Sequence, residues 1–194
     1  DIRASPGFAI HVLQCVDPTV REVTVAPLPD GNRLIGSDAD GIHVRNCRGG
    51  PTIENCQIER LLDDGLVVAS LAMRVESVVD SRTIEVVDFH GVRPQTGDTI
   101  DVMSPMGVRR GALPELENVS QSSRNEEEPY ETRTLSFAGD VTESVSAGDF
   151  VANQATSNAE FSVRDNTVRE NRANLIRIAA RSGVVENNSF DGSQ

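Results

Sequence analysis

SDADGIHVRNCRGGPTIENCQIERLLDDGLVV, residues 37–68, contains two apolar strands that open alike, Asp40-Gly41-Ile42-His43-Val44 and Asp64-Gly65-Leu66-Val67-Val68, 24 residues apart. A third strand-like run, Thr52 to Ile58, lies between them. Short strands recurring at this interval, joined by Gly, Asn and Asp turns, predict a right-handed parallel β-helix in which each coil stacks on the last. With one coil per repeat, Asp64 stands over Asp40 with backbones about 4.8 Å apart. Asp63 lies beside them, so three carboxylates meet at one edge of the stack.

The pattern extends outward in both directions. Ala9-Ile10-His11-Val12-Leu13-Gln14-Cys15 resembles Gly41-Ile42-His43-Val44-Arg45-Asn46-Cys47 at a spacing of 32, the longer repeat reflecting the Pro-Leu-Pro-Asp-Gly-Asn loop at residues 27–32. Each coil is expected to carry a second strand with apolar ends: Val20 to Val25, Ile53 to Ile58, Val163 to Val168 and Val185 to Phe190. Asn55, Asn166 and Asn187/Asn188 suggest side-chain hydrogen-bond ladders at a bend. After Gly65 to Ala69 the next second strand does not arrive until Phe161, so about 86 residues are inserted within one coil. Runs such as Arg74 to Val79, Thr83 to Phe89, Asp98 to Met103 and Arg133 to Phe137 make that insertion a small β-barrel or sheet subdomain. Its acidic stretch, Ser120 to Glu131, reads as a solvated loop. The expected fold is thus all-β: a partial right-handed parallel β-helix in residues 1–72, an inserted β-barrel-like subdomain in 73–158, and further coils in 159–194. If Ile176 aligns with Leu66 and Ile42, Asn174 continues the column of Asp40 and Asp64, and Arg177 points outward over Val67, His43 and His11.

With no Trp and one Tyr, the interior must be filled by aliphatic side chains. The formal charge is −12, and all 18 basic residues are Arg. An acidic surface without Lys suits a protein kept soluble in concentrated salt, so a halophilic source is expected. Nothing forms the basic stripe that displaces counterions from phosphates, which argues against nucleic acid as a partner. No apolar run is long enough to span a membrane. Cys15, Cys47 and Cys56 have no metal or disulfide spacing and read as buried free thiols, the first two in one interior ladder. The chain opens at Asp1 already inside a coil, as a piece of a longer protein would.

Three carboxylates at one point are costly for folding alone, and like charges that close favour keeping one proton among them. Glycoside hydrolysis needs that division, one acid for the leaving oxygen and one base for water. Two simpler readings exist. Asp-Gly pairs make turns before strands, and hard cations such as calcium collect carboxylates. His43 and Arg177 are candidate substrate contacts, and Arg48 either pairs a carboxylate or shapes a turn. No Ser-His-Asp order, phosphate-binding loop or zinc spacing occurs.

Asp-Gly-Ile-His at 40–43, Cys-Arg-Gly at 47–49, Ile-Glu-Asn-Cys at 53–56, Asp-Asp at 63–64 and Gly-Val-Val-Glu-Asn-Asn-Ser-Phe at 183–190 together resemble glycoside hydrolase family 110. The resemblance implies an exo-acting α-galactosidase on a parallel β-helix, cleaving terminal α-1,3-linked galactose with inversion. It implies a catalytic trio of Asp40, Asp63 and Asp64, with Asp63 as general acid and the other two holding the attacking water. His43, Arg48, Asn174 and Arg177 are the expected substrate-binding residues, and no metal or cofactor is required. The expected partner is a carbohydrate. The alternatives are a polygalacturonase-like inverting glycosidase, whose Gly-His-Gly and Arg-Ile-Lys motifs are missing here, and a noncatalytic glycan-binding β-helix module. With no Trp, an aromatic face for the sugar falls to Tyr130, His90 or a Phe.

Overall fold

The computed structural model describes residues 1–121 and 130–192. The chain is almost wholly β and divides into two compact units, one of Asp1–Ser70 with Asn158–Gln194, the other of Leu71–Ser157. The acidic segment at Ser120 to Glu131 falls largely outside the described residues.

In the first unit every circuit of the chain adds one short strand to each of three parallel sheets. The strands before the second unit are β1 (Ile2–Arg3), β2 (Ile10–Leu13), β3 (Thr19–Arg21), β4 (Thr24–Ala26), β5 (Ile42–Arg45), β6 (Thr52–Glu54), β7 (Gln57–Glu59) and β8 (Leu66–Ala69). The second unit contributes β9 (Met73–Asp80), β10 (Thr83–Asp88), β11 (Ile100–Met103), β12 (Arg109–Ala112), β13 (Leu116–Gln121), β14 (Glu131–Phe137) and β15 (Phe150–Asn153). The first unit then resumes with β16 (Ser162–Arg164), β17 (Thr167–Arg169), β18 (Ile176–Ala179), β19 (Val184–Glu186) and β20 (Ser189–Asp191). The parallel sheets run β2-β5-β8-β18, β3-β6-β16-β19 and β1-β4-β7-β17-β20.

Aliphatic columns set the register. Ile10, Ile42, Leu66 and Ile176 are paired in sequence, and so are Val12, Val44, Val68 and Ile178. Ile53 pairs with Val20 and Val163 in the second sheet, and Ile58 with Val25 and Val168 in the third. Period-two alternation sends these side chains inward, where Ile42, Val44, Ile53, Ile58, Leu66 and Val68 are buried in one cluster.

The expected six-residue second strand is two three-residue strands in different sheets. Glu22, Asn55, Asp165 and Asn187 each stand between them at φ near +55° (55, 54, 56 and 54°), and this left-handed residue turns the chain from one sheet into the next. The Asn ladder therefore lies one residue beyond Asn55. Asn166 Oδ1 accepts the Cys56 N–H at 2.9 Å, and Asn188 Oδ1 accepts the Asn166 N–H at 3.0 Å. Asn158 and Asn171 repeat the device at the other two corners, accepting the N–H groups of Cys47 (2.9 Å) and Leu61 (3.3 Å). All three join residues about 110 apart in the chain, so they fix the return from the long excursion onto the preceding circuit. Salt bridges Arg164–Glu54, Arg169–Glu59 and Arg60–Glu170 cross the same junction outside.

The second unit is one antiparallel sheet of seven strands, ordered β12-β11-β15-β9-β10-β14-β13. Its edge strands β12 and β13 are joined only by residues 113–115, a link that spans at most about 14 Å. The unit has a core of its own that includes Met73, Ile84, Ile100, Leu116, Leu135 and Phe137. Gly97-Asp98 and Gly148-Asp149 make twin turns: each Gly has positive φ, and each Asp accepts an N–H three residues back, from Gln95 and Ser146. Among the described residues no helix is long and apolar enough to cross a membrane.

Cys47 and Cys56 are buried free thiols, but Cys15 is exposed, because the circuit that carries it is covered on one side only. Burial pushes the Cys47 and Cys56 thiols up, away from the reactive thiolate. Iodoacetamide on the native protein should alkylate Cys15 alone, with all three labelled in denaturant, as read by mass spectrometry. At Gly65 a Cβ would meet Val168 Cγ1 at 2.4 Å, Leu175 O at 2.5 Å and Asn171 Nδ2 at 2.6 Å. Gly65→Ala should therefore cost about 1–3 kcal/mol in urea unfolding, the range for overpacking a close-packed site.

Candidate active site

Asp40 and Asp64 each precede the Gly that leads into a strand of the first sheet, and the Ile42–Leu66 register stacks them one circuit apart. The glycines fit because there is no room for a side chain there: a Cβ on Gly41 would lie 2.7 Å from Gly65 O and 2.8 Å from Ile58 Cγ2. Main-chain bonds run alongside, Gly41 N–H to Asp64 O at 3.0 Å and Gly65 N–H to Asn174 O at 2.8 Å. The side chains continue the ladder. Asp40 Oδ1 accepts the Asp64 N–H at 3.2 Å, and Asp64 Oδ1 accepts the Asn174 N–H at 2.9 Å and its Nδ2 at 2.8 Å. Asp63 Oδ1 accepts the Asp64 N–H as well, at 3.0 Å.

One oxygen from each of Asp40, Asp63 and Asp64 lies within 4.8 Å of the others. Their surroundings differ. Asp40 and Asp64 are only 5% and 4% exposed, whereas Asp63 is on the surface. Burying a carboxylate is costly unless donors replace its water, and the N–H groups of Asp64 and Asn174 do so here.

The residues beside the trio come from the same sheet. His11, His43, Val67 and Arg177 are in register. His43 Nδ1 lies 2.5 Å from Asp40 Oδ2. Arg177 Nη1 is 3.8 Å from Asp64 Oδ2, its side chain otherwise largely in solvent. Asn174 spends its donors on Asp64, which makes it a support for that carboxylate. Arg48 stands three residues beyond the far end of β5 from Asp40, and its backbone pairs with Val16 at the next corner.

His11, from the same outward column, and Phe8, which no motif marks, complete this face. Phe8 packs against the rings of His11 and His43 at 4.8 and 5.2 Å, and the two histidines lie 5.3 Å apart. Partial burial, then the charges of Arg45 and His43, hold the His11 imidazole below its ordinary range. Phe89, His90 and Tyr130 pack together within the second unit.

Three such carboxylates are also the kind of group that hard cations collect. The groups turned toward them here are N–H donors, an imidazole and a guanidinium, which compensate their negative charge.

No protein-family model matches the chain. Three curated relatives do. Alpha-1,3-galactosidase A of Bacteroides fragilis strain YCH46 is 26% identical over 89% of this chain and 28% of its own length, and its counterpart in strain ATCC 25285 gives the same figures. Alpha-1,3-galactosidase B of Akkermansia muciniphila is 28% identical over 99% of this chain and 24% of its own length. The chain spans about a quarter of the length of these proteins. It is thus a distant relative of proteins named α-1,3-galactosidase.

Proposed function

We propose that this chain carries the catalytic centre of an inverting, exo-acting glycoside hydrolase that removes terminal α-1,3-linked galactose. Its scaffold is a right-handed parallel β-helix, residues 1–72 and 159–194, with a β-barrel-like subdomain inserted at 73–158. The observation that carries the reading is the stacking of Asp40 and Asp64 one circuit apart, with Asp63 beside them.

In this scheme Asp63 is the general acid. It gives its proton to the glycosidic oxygen as the bond from that oxygen to the anomeric carbon breaks. A water on the opposite face of the ring bonds to the anomeric carbon and passes a proton to Asp64, while Asp40 holds the same water. The two proton transfers balance, leaving galactose and a free hydroxyl on the aglycone. An inverting pair normally stands about 6.5–9.5 Å apart to admit water, whereas one oxygen from each member of this trio lies within 4.8 Å of the others. The scheme therefore requires Asp63, the exposed member, whose Oδ1 accepts its neighbour's N–H, to move outward when sugar and water enter. Arg177 steadies Asp64 Oδ2 and offers its remaining donors to sugar hydroxyls.

The test is hydrolysis of nitrophenyl α-galactoside and of a Gal-α-1,3-Gal disaccharide in high and low salt. Asp64→Asn keeps the acceptor for Asn174 and so should keep the fold by circular dichroism, yet lower kcat by about 10²- to 10⁴-fold, the usual contribution of a general base. Full activity in that variant contradicts the assignment, and glycan binding without turnover in the wild-type chain indicates a binding module.

A further inference from the structure

Asp40 has both oxygens engaged, Oδ1 by the Asp64 N–H at 3.2 Å and Oδ2 by His43 Nδ1 at 2.5 Å. Toward an ionised carboxylate, which can only accept, an imidazole at this distance must donate, so the contact pairs an Asp40 carboxylate with a proton on Nδ1. The other nitrogen is stranded: His43 Nε2 is buried and has no hydrogen-bond partner among the described residues. The His43 side chain is 16% exposed, enclosed on one side by Phe8 and His11. A buried imidazole with an unpaired nitrogen is a poor packing residue, and an apolar group of similar shape would serve better if packing were the only demand. The next position of the same column, Val67, is such a group and is 1% exposed. What distinguishes the circuit of His43 is the carboxylate that its Nδ1 holds.

We propose that His43 is a positioning residue for Asp40 and not a contact for the sugar. The idea deepens the hydrolase reading and rests on it. The Nδ1–H bond turns the Asp40 carboxylate so that Oδ1 stays on the main-chain N–H of Asp64. Asp40 then ties the two acidic circuits together and keeps a fixed acceptor direction for the water. Asp64, whose Oδ2 lies 3.8 Å from the guanidinium of Arg177, remains the group that takes the proton. Phe8 and His11 pack against the ring and limit its rotation.

Two substitutions separate orientation from packing. His43→Phe keeps a ring against Phe8 and His11 but removes the donor. His43→Asn restores a donor near the place of Nδ1. On nitrophenyl α-galactoside, His43→Phe should lower kcat by about 100-fold, the effect of misplacing a catalytic group by about 1 Å, with KM within about twofold. His43→Asn should recover most of that loss, and combining His43→Phe with Asp40→Asn should add little to Asp40→Asn alone, as for residues acting as one unit. Unchanged kcat in His43→Phe, or an effect confined to KM, overturns the positioning role while leaving the hydrolase reading intact. A wild-type chain without turnover overturns the hydrolase reading first. Nitrogen-15 NMR of the wild-type histidines, of which there are three, then judges the His43–Asp40 bond by itself. A neutral His43 protonated at Nδ1 and switching tautomer in Asp40→Asn supports the bond; an Nε2-protonated ring unaffected by that substitution overturns it.

Discussion

The hydrogen bond from a main-chain N–H to the carboxylate one circuit earlier is the constraint on which the site depends. Asp64 N–H donates to Asp40 Oδ1, and Asn174 N–H donates to Asp64 Oδ1, so the acidic column is an extension of the parallel ladder. Two nearly buried carboxylates are thereby supplied with donors by the fold itself. The same geometry dictates glycine at the next position, where the chain passes so close to the neighbouring circuit and core that a Cβ on Gly41 or Gly65 would collide with main-chain oxygen. Asp-Gly is thus both a structural and a chemical unit.

Identical side chains acquire different work from their surroundings. Asp40 is gripped at both oxygens, Asp64 is held at one and faced by a guanidinium at the other, and Asp63 sits in solvent. Acid–base catalysis by several carboxyl groups needs unequal environments of this kind. The asymmetry arises because Asp63 precedes the column residue and faces outward, while its two partners lie at the start of strands that bury the following apolar side chains.

Much of this was legible from the chain. The aliphatic side chains inside a stacked sheet repeat along its columns, so matching Ile42 with Leu66 placed Asp64 over Asp40, and matching Ile176 with both placed Asn174 over the pair and Arg177 in the column of His43. Strand breaks were less legible. Asn55, Asp165 and Asn187 are of the types that tolerate a left-handed backbone, but Glu22 is not, and within a run with apolar ends that weak signal reads as the polar face of one strand rather than as a break. That split moves the Asn ladder to Asn166 and Asn188 and leaves Cys56 at the preceding place. Cys15 matches Cys47 in register, but burial depends on what lies on both sides of a circuit, which a pairwise match does not reveal. The bond of His43 to Asp40 and the packing of Phe8 and His11 against it depend on side-chain rotation at a corner, beyond the reach of spacing.

The most direct measurement is the configuration of the first sugar released. Water held by the stacked pair Asp40 and Asp64, with Asp63 protonating the leaving oxygen, gives β-galactose from an α-galactoside. Proton NMR taken before mutarotation should show the β anomer first. Initial appearance of the α anomer would mean that a carboxylate attacks the sugar directly, and would contradict the division of roles among the three aspartates.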